Sequence, residues 1–565
     1  MEIFRFLLLI MSFAGYLYWL SAQIRSELAI GFLFACISSA FVLAGILNIM
    51  VEMTVLVAAG SILCLVDGIR KRFPLKTVCS LGMAFFLVMC LVFAIILQGN
   101  KLIRYDNFSH WAIVAKTMIL QNRTPTAQDS YIYFQSYPVG SVSLLFYAAK
   151  ITGDKSEVMQ MWMQAITEAG MASSVFTFAK TVKGRLLAVF TALCLLCGNI
   201  GFRDLLVDTL LPITAVSAFA FCSYYRDEIE RHPMLLLPWM LFLVSIKSSG
   251  CAFAGMILLY ALLTIHPKGD ARRAWMILAL CPILLMFFWG SHVRLVFPNG
   301  LLSKHSVSLA NYLQGIREKT ANDIVSIKRA LLLKLFSVDN QFLFILFLLL
   351  ALVVFRRTVL RMKRAETWRI TVYPLLCYVF FQFGLLAMYF FSMPLYEARI
   401  LAGFSRYQKI ILIFTGGITA ISAIQMVEQA KVGKERILSL LLCGLSALAL
   451  FWGVRPDFTY LGRQELAGTL RQQFDDLIGD YELPKEAKYI ILEPDGDSES
   501  DFLFFMSRYL LEPEEVAVYT VSDLDGHNEL LDDYDYLIVI KQKDDTKLYL
   551  QEHFGSSEPV ARLHT

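Results

Sequence analysis

Residues 77–120 read TVCSLGMAFFLVMCLVFAIILQGNKLIRYDNFSHWAIVAKTMIL. The first half, 77–98, is an uncharged apolar run of the length a helix needs to cross a bilayer, about 20 residues. The second half crowds Asp106, Ser109, His110, Trp111 and Lys116 where such a helix would leave the lipid. An acid is costly inside hydrocarbon and ordinary in water. The fold therefore turns on how many such runs the chain has, and the function on which side this polar cluster emerges.

Outward from this stretch the composition stays the same. Of 565 residues, 57% are hydrophobic and only 17% charged, and the mean hydropathy is +0.58. A water-soluble chain of this size could not bury so much apolar side chain, so a polytopic α-helical membrane protein is expected. Apolar runs fall at about 4–20, 27–47, 50–67, 77–98, 157–179, 186–202, 205–223, 233–248, 249–265, 274–290, 340–355, 370–392, 407–427 and 437–454. That gives about 13–14 transmembrane helices. The run at 4–20 lacks a small-residue cleavage site and is followed at once by others, which reads as an anchor rather than a removed leader.

Charge divides the chain in two. Residues 455–565 hold 25 acids against 10 Lys or Arg, a net of −15, whereas the preceding 454 residues are at +19. The expected organisation is a membrane domain over 1–454, with a loop at 100–156, and an acidic, water-soluble domain over 455–565. Within the tail, 488–492 (KYIIL) and 534–541 (YDYLIVIK) read as buried strands and 501–511 as a helix between them, a small α/β domain. The basic excess of the first part sits in short inter-span loops, which speaks for topology and against nucleic-acid binding. All eleven cysteines lie within or beside apolar runs. Small hydrophobic residues in such places need neither disulfide nor zinc chemistry.

Loops rich in Lys and Arg stay cytoplasmic. Those at 68–76, 180–185, 224–233, 266–273, 356–369 and 428–436 are the clearest. With all of them inside, 77–98 runs outward, and 101–136 lies outside the cytoplasm. The 16-residue run 137–152 (YPVGSVSLLFYAAKIT) then reads as a juxtamembrane or re-entrant helix. The stretches 202–208, 291–338 and 393–406 and the acidic tail are also extracytoplasmic on this threading. A multi-pass protein of the plasma membrane follows, and the short inner loops fit a bacterial one.

Four features on that outer side carry chemistry. Asp106 and His110 are four apart, so on an interfacial helix they share a face, with Phe108, Trp111 and Ile119 dipping into the headgroup layer. Asp208 stands where a span re-enters, before Pro212. Lys247 in SIKSSG ends a span, with Gly250 allowing a tight reversal. Glu397, Arg399 and Arg406 cluster in PLYEARILAGFSRYQ (394–408). Arginine is a fixed cation that grips phosphate oxygens with paired donors, and outward-facing arginines run against the positive-inside trend. Arg294, Lys304 and His305 are further cations of the 291–338 loop. Structural roles stand open beside these: helix capping for Asp106 and Asp208, pairing with Asp106 for His110, and snorkelling for Lys247. No phosphate-binding glycine loop, dinucleotide fingerprint, zincin helix or nucleophile elbow is present.

The order and sidedness of these features resemble the GT-C superfamily of polytopic glycosyltransferases, which includes protein O-mannosyltransferases and the bacterial transferases that add aminoarabinose to lipid A. Asp106 in YDNFSHW matches the acidic motif of the first outer loop. Tyr137–Gly140 (YPVG) is similar to the family's Pro-containing helix start, Asp208 to its second acidic turn, and Lys247–Gly250 to a later Lys-Gly turn. The resemblance covers most of 77–454. It departs at Asn107, where many members have a second acid, and at Gln135 and Ser136, where members have a Lys. It leaves room for a divalent cation and assigns no metal ligand.

The resemblance implies transfer of a sugar from a polyprenyl-phosphate donor to a glycan, lipid or protein acceptor of the cell envelope, with the lipid bilayer as the setting. Asp106 would be the base, with His110 orienting it or sharing the proton. Lys247, Arg399 and Arg406 would hold the donor phosphate, and Asp208, Glu397 and Trp111 would position the acceptor. A single displacement would invert the anomeric carbon. A lipid-linked oligosaccharide polymerase or ligase is the alternative, resting on the arginines rather than on Asp106. A transporter or flippase fits less well, because the charges sit at span ends and no internal repeat is seen.

Overall fold

The computed structural model describes residues 2–199, 201–265, 269, 271–298, 309–361, 364–430 and 434–563. Lys304 and His305 lie outside them. The chain forms two compact units. The larger comprises Met1–Gln98, Thr117–Ala127 and Phe134–Gly462, and the smaller Gly99–Lys116, Gln128–Tyr133 and Arg463–Thr565.

The larger unit is all helical. Each apolar run read from the sequence contains a helix, from Glu2–Ser21 and Ser26–Ile46 through Leu81–Ile96 to Phe404–Gln429 and Lys434–Val454, but the runs 186–202 and 205–223 are helical only over Val182–Leu196 and Leu210–Tyr224. Among the described residues, six helices are long and apolar enough to cross a membrane by length and composition. Their surroundings differ sharply. In the most apolar stretch of the Phe404–Gln429 helix 94% of the residues are buried, whereas in that of Met50–Arg70 only 22% are. Leu56, Ile62 and Leu63 of the latter face outward, as expected of side chains meeting lipid. Where no hydrophobic force separates helix from lipid, close approach of backbones decides packing. Accordingly Gly15 packs on the Met50–Arg70 helix so tightly that a Cβ there would lie 2.1 Å from the Ser61 carbonyl oxygen.

The 137–152 stretch forms the Gly140–Thr152 helix, buried along almost its whole length. It is inserted among the Glu2–Ser21, Ser26–Ile46 and Glu157–Ala172 helices and does not lie on a surface.

The smaller unit is an α/β fold. Its sheet has strands β1 (Lys488–Glu493), β2 (Glu515–Thr520), β3 (Tyr536–Ile538) and β4 (Val560–Arg562) in the order β2-β1-β3-β4. β1 is parallel to β2 and β3, and β4 is antiparallel to β3. The anticipated strands are β1 and β3, and the anticipated helix is Ser500–Leu511. The strand β4, only three residues long, gave no pattern of its own.

The segment 99–116 belongs to this unit although more than 360 residues separate it from its partners. Lys101 exchanges hydrogen bonds with the Gln464 amide, at 2.8 and 2.9 Å, and pairs with Asp475 at 2.7 Å. Arg471 donates to the Leu102 carbonyl. Phe108 stacks on Phe502 at 5.8 Å and meets Tyr509 at 5.3 Å. Phe108, Trp111 and Ile119 are all buried in protein, so the expected helix dipping into headgroups is corrected. Aromatic side chains bury equally well in an interface and in a core, and here the C-terminal helices supply the core.

Candidate functional site

The chain enters Asn107–Trp111 as a single π-helical turn and continues as the regular helix Ala112–Gln121. Such turns are rare and concentrate at functional sites. Asp106 stands at its start, half-exposed, and its side chain does not cap the turn. His110 is buried and meets the Trp111 ring edge-on at 4.5 Å. These three predicted residues share the smaller unit.

In the larger unit, three others converge. Asp208 is 3% exposed, and its carboxylate lies 3.5 Å from Lys247 Nζ and 3.4 Å from Arg406 Nε. The expected capping role does not hold: the helix Leu210–Tyr224 starts without any side-chain cap, and the acid is turned to the two cations instead. Each arrives on a different element. Asp208 closes the stretch 201–208, which Gln164 pins by donating to the Asp204 and Leu206 carbonyls at 3.0 and 3.1 Å. Lys247 ends the helix Leu237–Ile246 in extended conformation. There the chain reverses so tightly that a Cβ on Gly250 would sit 1.8 Å from the Leu243 carbonyl oxygen. Arg406 opens the helix Phe404–Gln429, reached through left-handed backbone at Leu401 and Gly403, with φ of +52° and +70°.

Tyr407 lies beneath both cations, its ring centre 5.9 Å from Lys247 Nζ and 5.5 Å from the Arg406 guanidinium. Such a ring attracts positive charge through its face. The YPVG turn is close by, since a Cβ on Gly140 would meet Ser245 Oγ at 2.2 Å. Lys247 is largely withdrawn from solvent, and the Asp208 carboxylate beside it offsets the cost of burying its ammonium. The cluster therefore holds two fixed positive charges around one buried negative charge. Arg406 remains one-third exposed and Lys247 about one-fifth, so both can reach an anion arriving from solvent.

Arg399 stands elsewhere. It pairs with Asp323 at 2.7 Å, and Glu397, on the same short helix Leu395–Arg399, makes no side-chain hydrogen bond or ion pair among the described residues. Neighbours in sequence are thus divided: Arg406 joins Asp208, and Arg399 secures the helix Ala321–Leu335. Asp323 also accepts from the Thr320 hydroxyl and backbone N–H in a capping box. The Thr320 bonds, followed by Arg399, hold the Asp323 carboxyl down at about 2, against an ordinary 3.8. A carboxyl lowered on folding stabilises the fold above its unfolded value, and that contribution is lost as pH falls from 3.8 through about 2. Hydrogen-exchange protection of Ala321–Leu335 should fall across that window. In Asp323→Asn the protection should start lower and show no such step.

Arg294 is exposed at the end of the helix Ala271–Val296. Sequence reading missed Gln164, Tyr407 and Asp323. It also passed over Glu168, a fully buried acid in the middle of the Glu157–Ala172 helix, which a search for intramembrane charge would flag. Among the described residues, no three His, Cys, Asp or Glu side chains converge as a metal-binding group. Comparison with family models, with curated proteins and with solved structures finds no match to this chain.

Proposed function

We propose that this protein is a membrane glycosyltransferase that moves a sugar from a polyprenyl-phosphate donor to a cell-envelope glycan or lipid-linked acceptor. In this reading it crosses the plasma membrane about fourteen times, with the acidic C-terminal domain and the reacting groups on the outer side. The observation that carries it is the convergence of Lys247 and Arg406 on Asp208, above Tyr407. A lipid phosphate leaving group gains negative charge as the sugar departs, and preorganised cations stabilise that charge most when they are already held in place. Asp208 holds both cations in place before the donor arrives.

The reaction is a single displacement. The acceptor hydroxyl attacks the anomeric carbon, its proton passes to a carboxylate, and the carbon–oxygen bond to the lipid phosphate breaks with inversion. Asp106 is the base in this scheme, because a carboxylate need accept the proton only as the new bond forms. His110 beside it is the candidate to orient it.

The test is transfer of radiolabelled sugar from polyprenyl-phosphate donors in membranes carrying the full chain. Lys247→Met with Arg406→Gln should reduce transfer per folded molecule about a hundredfold, with the amount of folded protein measured alongside because Asp208 is left without its cations. A loss of sugar polymer length with single-sugar transfer intact would instead favour the polymerase or ligase reading. Unchanged transfer in the double variant would reject the phosphate role.

A further inference from the structure

The Leu210–Tyr224 helix links two polar ends of the larger unit. Asp208 precedes its first turn, and Tyr225 follows its last. Fifteen helical residues span roughly 22 Å. At the Tyr225 end lies a cavity of about 370 Å³, lined by Ser21, Arg25, Glu27, Thr77, Ser80 and Tyr225 among others.

Its lining is rich in hydroxyl groups, and not all of their protons are taken up by described residues. Ser21 is 7% exposed, and its Oγ has no hydrogen-bond partner among the described residues. The Tyr225 hydroxyl accepts from the Arg25 backbone N–H at 2.8 Å, and its own proton goes to no described residue. Ser26 Oγ and Ser80 Oγ share one hydrogen bond of 2.7 Å, which leaves one hydroxyl proton of the pair over. That bond also ties together the N-termini of two long helices, Ser26–Ile46 and Leu81–Ile96, and the first has no side-chain cap. Helix N-termini carry partial positive charge and favour anions. Arg25 lies beside them, over the Tyr224 ring at 5.5 Å. Its Nε and Nη2 hold Glu27 at 3.3 and 2.8 Å, which neutralises the one carboxylate of the lining. The neighbouring loops carry Arg72, Lys76 and Arg226, the last beside Asp227 and Glu228, while Lys71 is paired with Asp67 at 2.8 Å.

Hydroxyl donors on three separate elements, two positive helix ends and an unpartnered buried oxygen match the oxygens of a tetrahedral anion better than a planar one. We propose that this cavity binds a phosphate group, carried either by a phospholipid headgroup or as free phosphate, at the end of the helical body away from Asp208. This site does not depend on the transferase reading.

The test uses the full chain purified in neutral detergent and stripped of phospholipid. Binding of inorganic phosphate is followed by ³¹P NMR. Binding of dioctanoyl phosphatidylglycerol is followed by native mass spectrometry, with dioctanoylglycerol as the control lacking phosphate. Ser21→Ala and Tyr225→Phe should each weaken binding about tenfold, as loss of one hydrogen bond to a charged group does. Weakened binding of inorganic phosphate identifies a free-phosphate site. Weakened binding of the phospholipid alone identifies a headgroup site. No binding of either probe, equal binding of the control lipid, or affinities unchanged in both variants overturns the proposal. Ser21→Ala removes no hydrogen bond of the fold, so it decides the matter even if Tyr225→Phe fails to accumulate.

Discussion

Asp106→Asn is expected to reduce sugar transfer by about 10²–10⁴-fold, the range that a positioned general base contributes. The substitution keeps the size and most hydrogen bonding of the side chain and removes only its capacity to take a proton. Asp106 is half-exposed at the entry to the π-helical turn, where an amide is tolerated. The folded state should therefore persist, with a melting curve matching that of the unaltered protein. Measured in membranes with polyprenyl-phosphate donors, kcat should fall while the KM for donor stays close to its original value, because the donor phosphate is assigned to other residues. Full transfer at normal expression would end the base assignment. A raised KM with kcat intact would move Asp106 to a binding role.

Asp208→Ala is expected to destabilise the larger unit by about 3 kcal/mol, the lower end of the cost of removing one partner from a buried ion pair. The lower end applies because Arg406 is one-third exposed and water can take up part of its charge. Without the carboxylate, Lys247 and Arg406 are left as neighbouring like charges above one ring. Unfolding in mixed micelles measures the effect. Asp208→Ala combined with Lys247→Met should recover part of the loss, since the double change removes a charge on each side. Additive losses in the pair, or no loss in Asp208→Ala alone, would show that the three residues are not energetically joined.

Much of the architecture is legible from composition alone. Apolar runs without charge have few fates, and each of those read from the sequence contains a helix, though not always over its whole length. The β1 and β3 strands and the Ser500–Leu511 helix are legible for a similar reason: periodic burial writes itself into the order of side chains. Of the candidate residues, Asp208, Lys247 and Arg406 were visible as charges at run ends, and the fold gathers them.

What the sequence left open is which apolar surface meets which. The Phe404–Gln429 and Met50–Arg70 helices have nearly equal hydropathy, 2.0 and 1.9, yet 94% of the residues are buried in the most apolar stretch of one and 22% in that of the other. Lipid tails and protein interiors are both apolar, so the same side chains satisfy either. For that reason Phe108 could be read as an interfacial anchor, and only the tertiary structure seats it against Phe502 and Tyr509. The same limit governs charge. Arg399 and Arg406 stand seven positions apart in one loop, and pairing depends on through-space geometry that no spacing encodes. The sequence by itself determined a helical chain with membrane-length runs, an acidic α/β tail and a short set of polar residues at the run ends. The tertiary structure alone decided that Arg406 meets Asp208, that Arg399 meets Asp323, and that residues 99–116 are built into the core of the C-terminal unit.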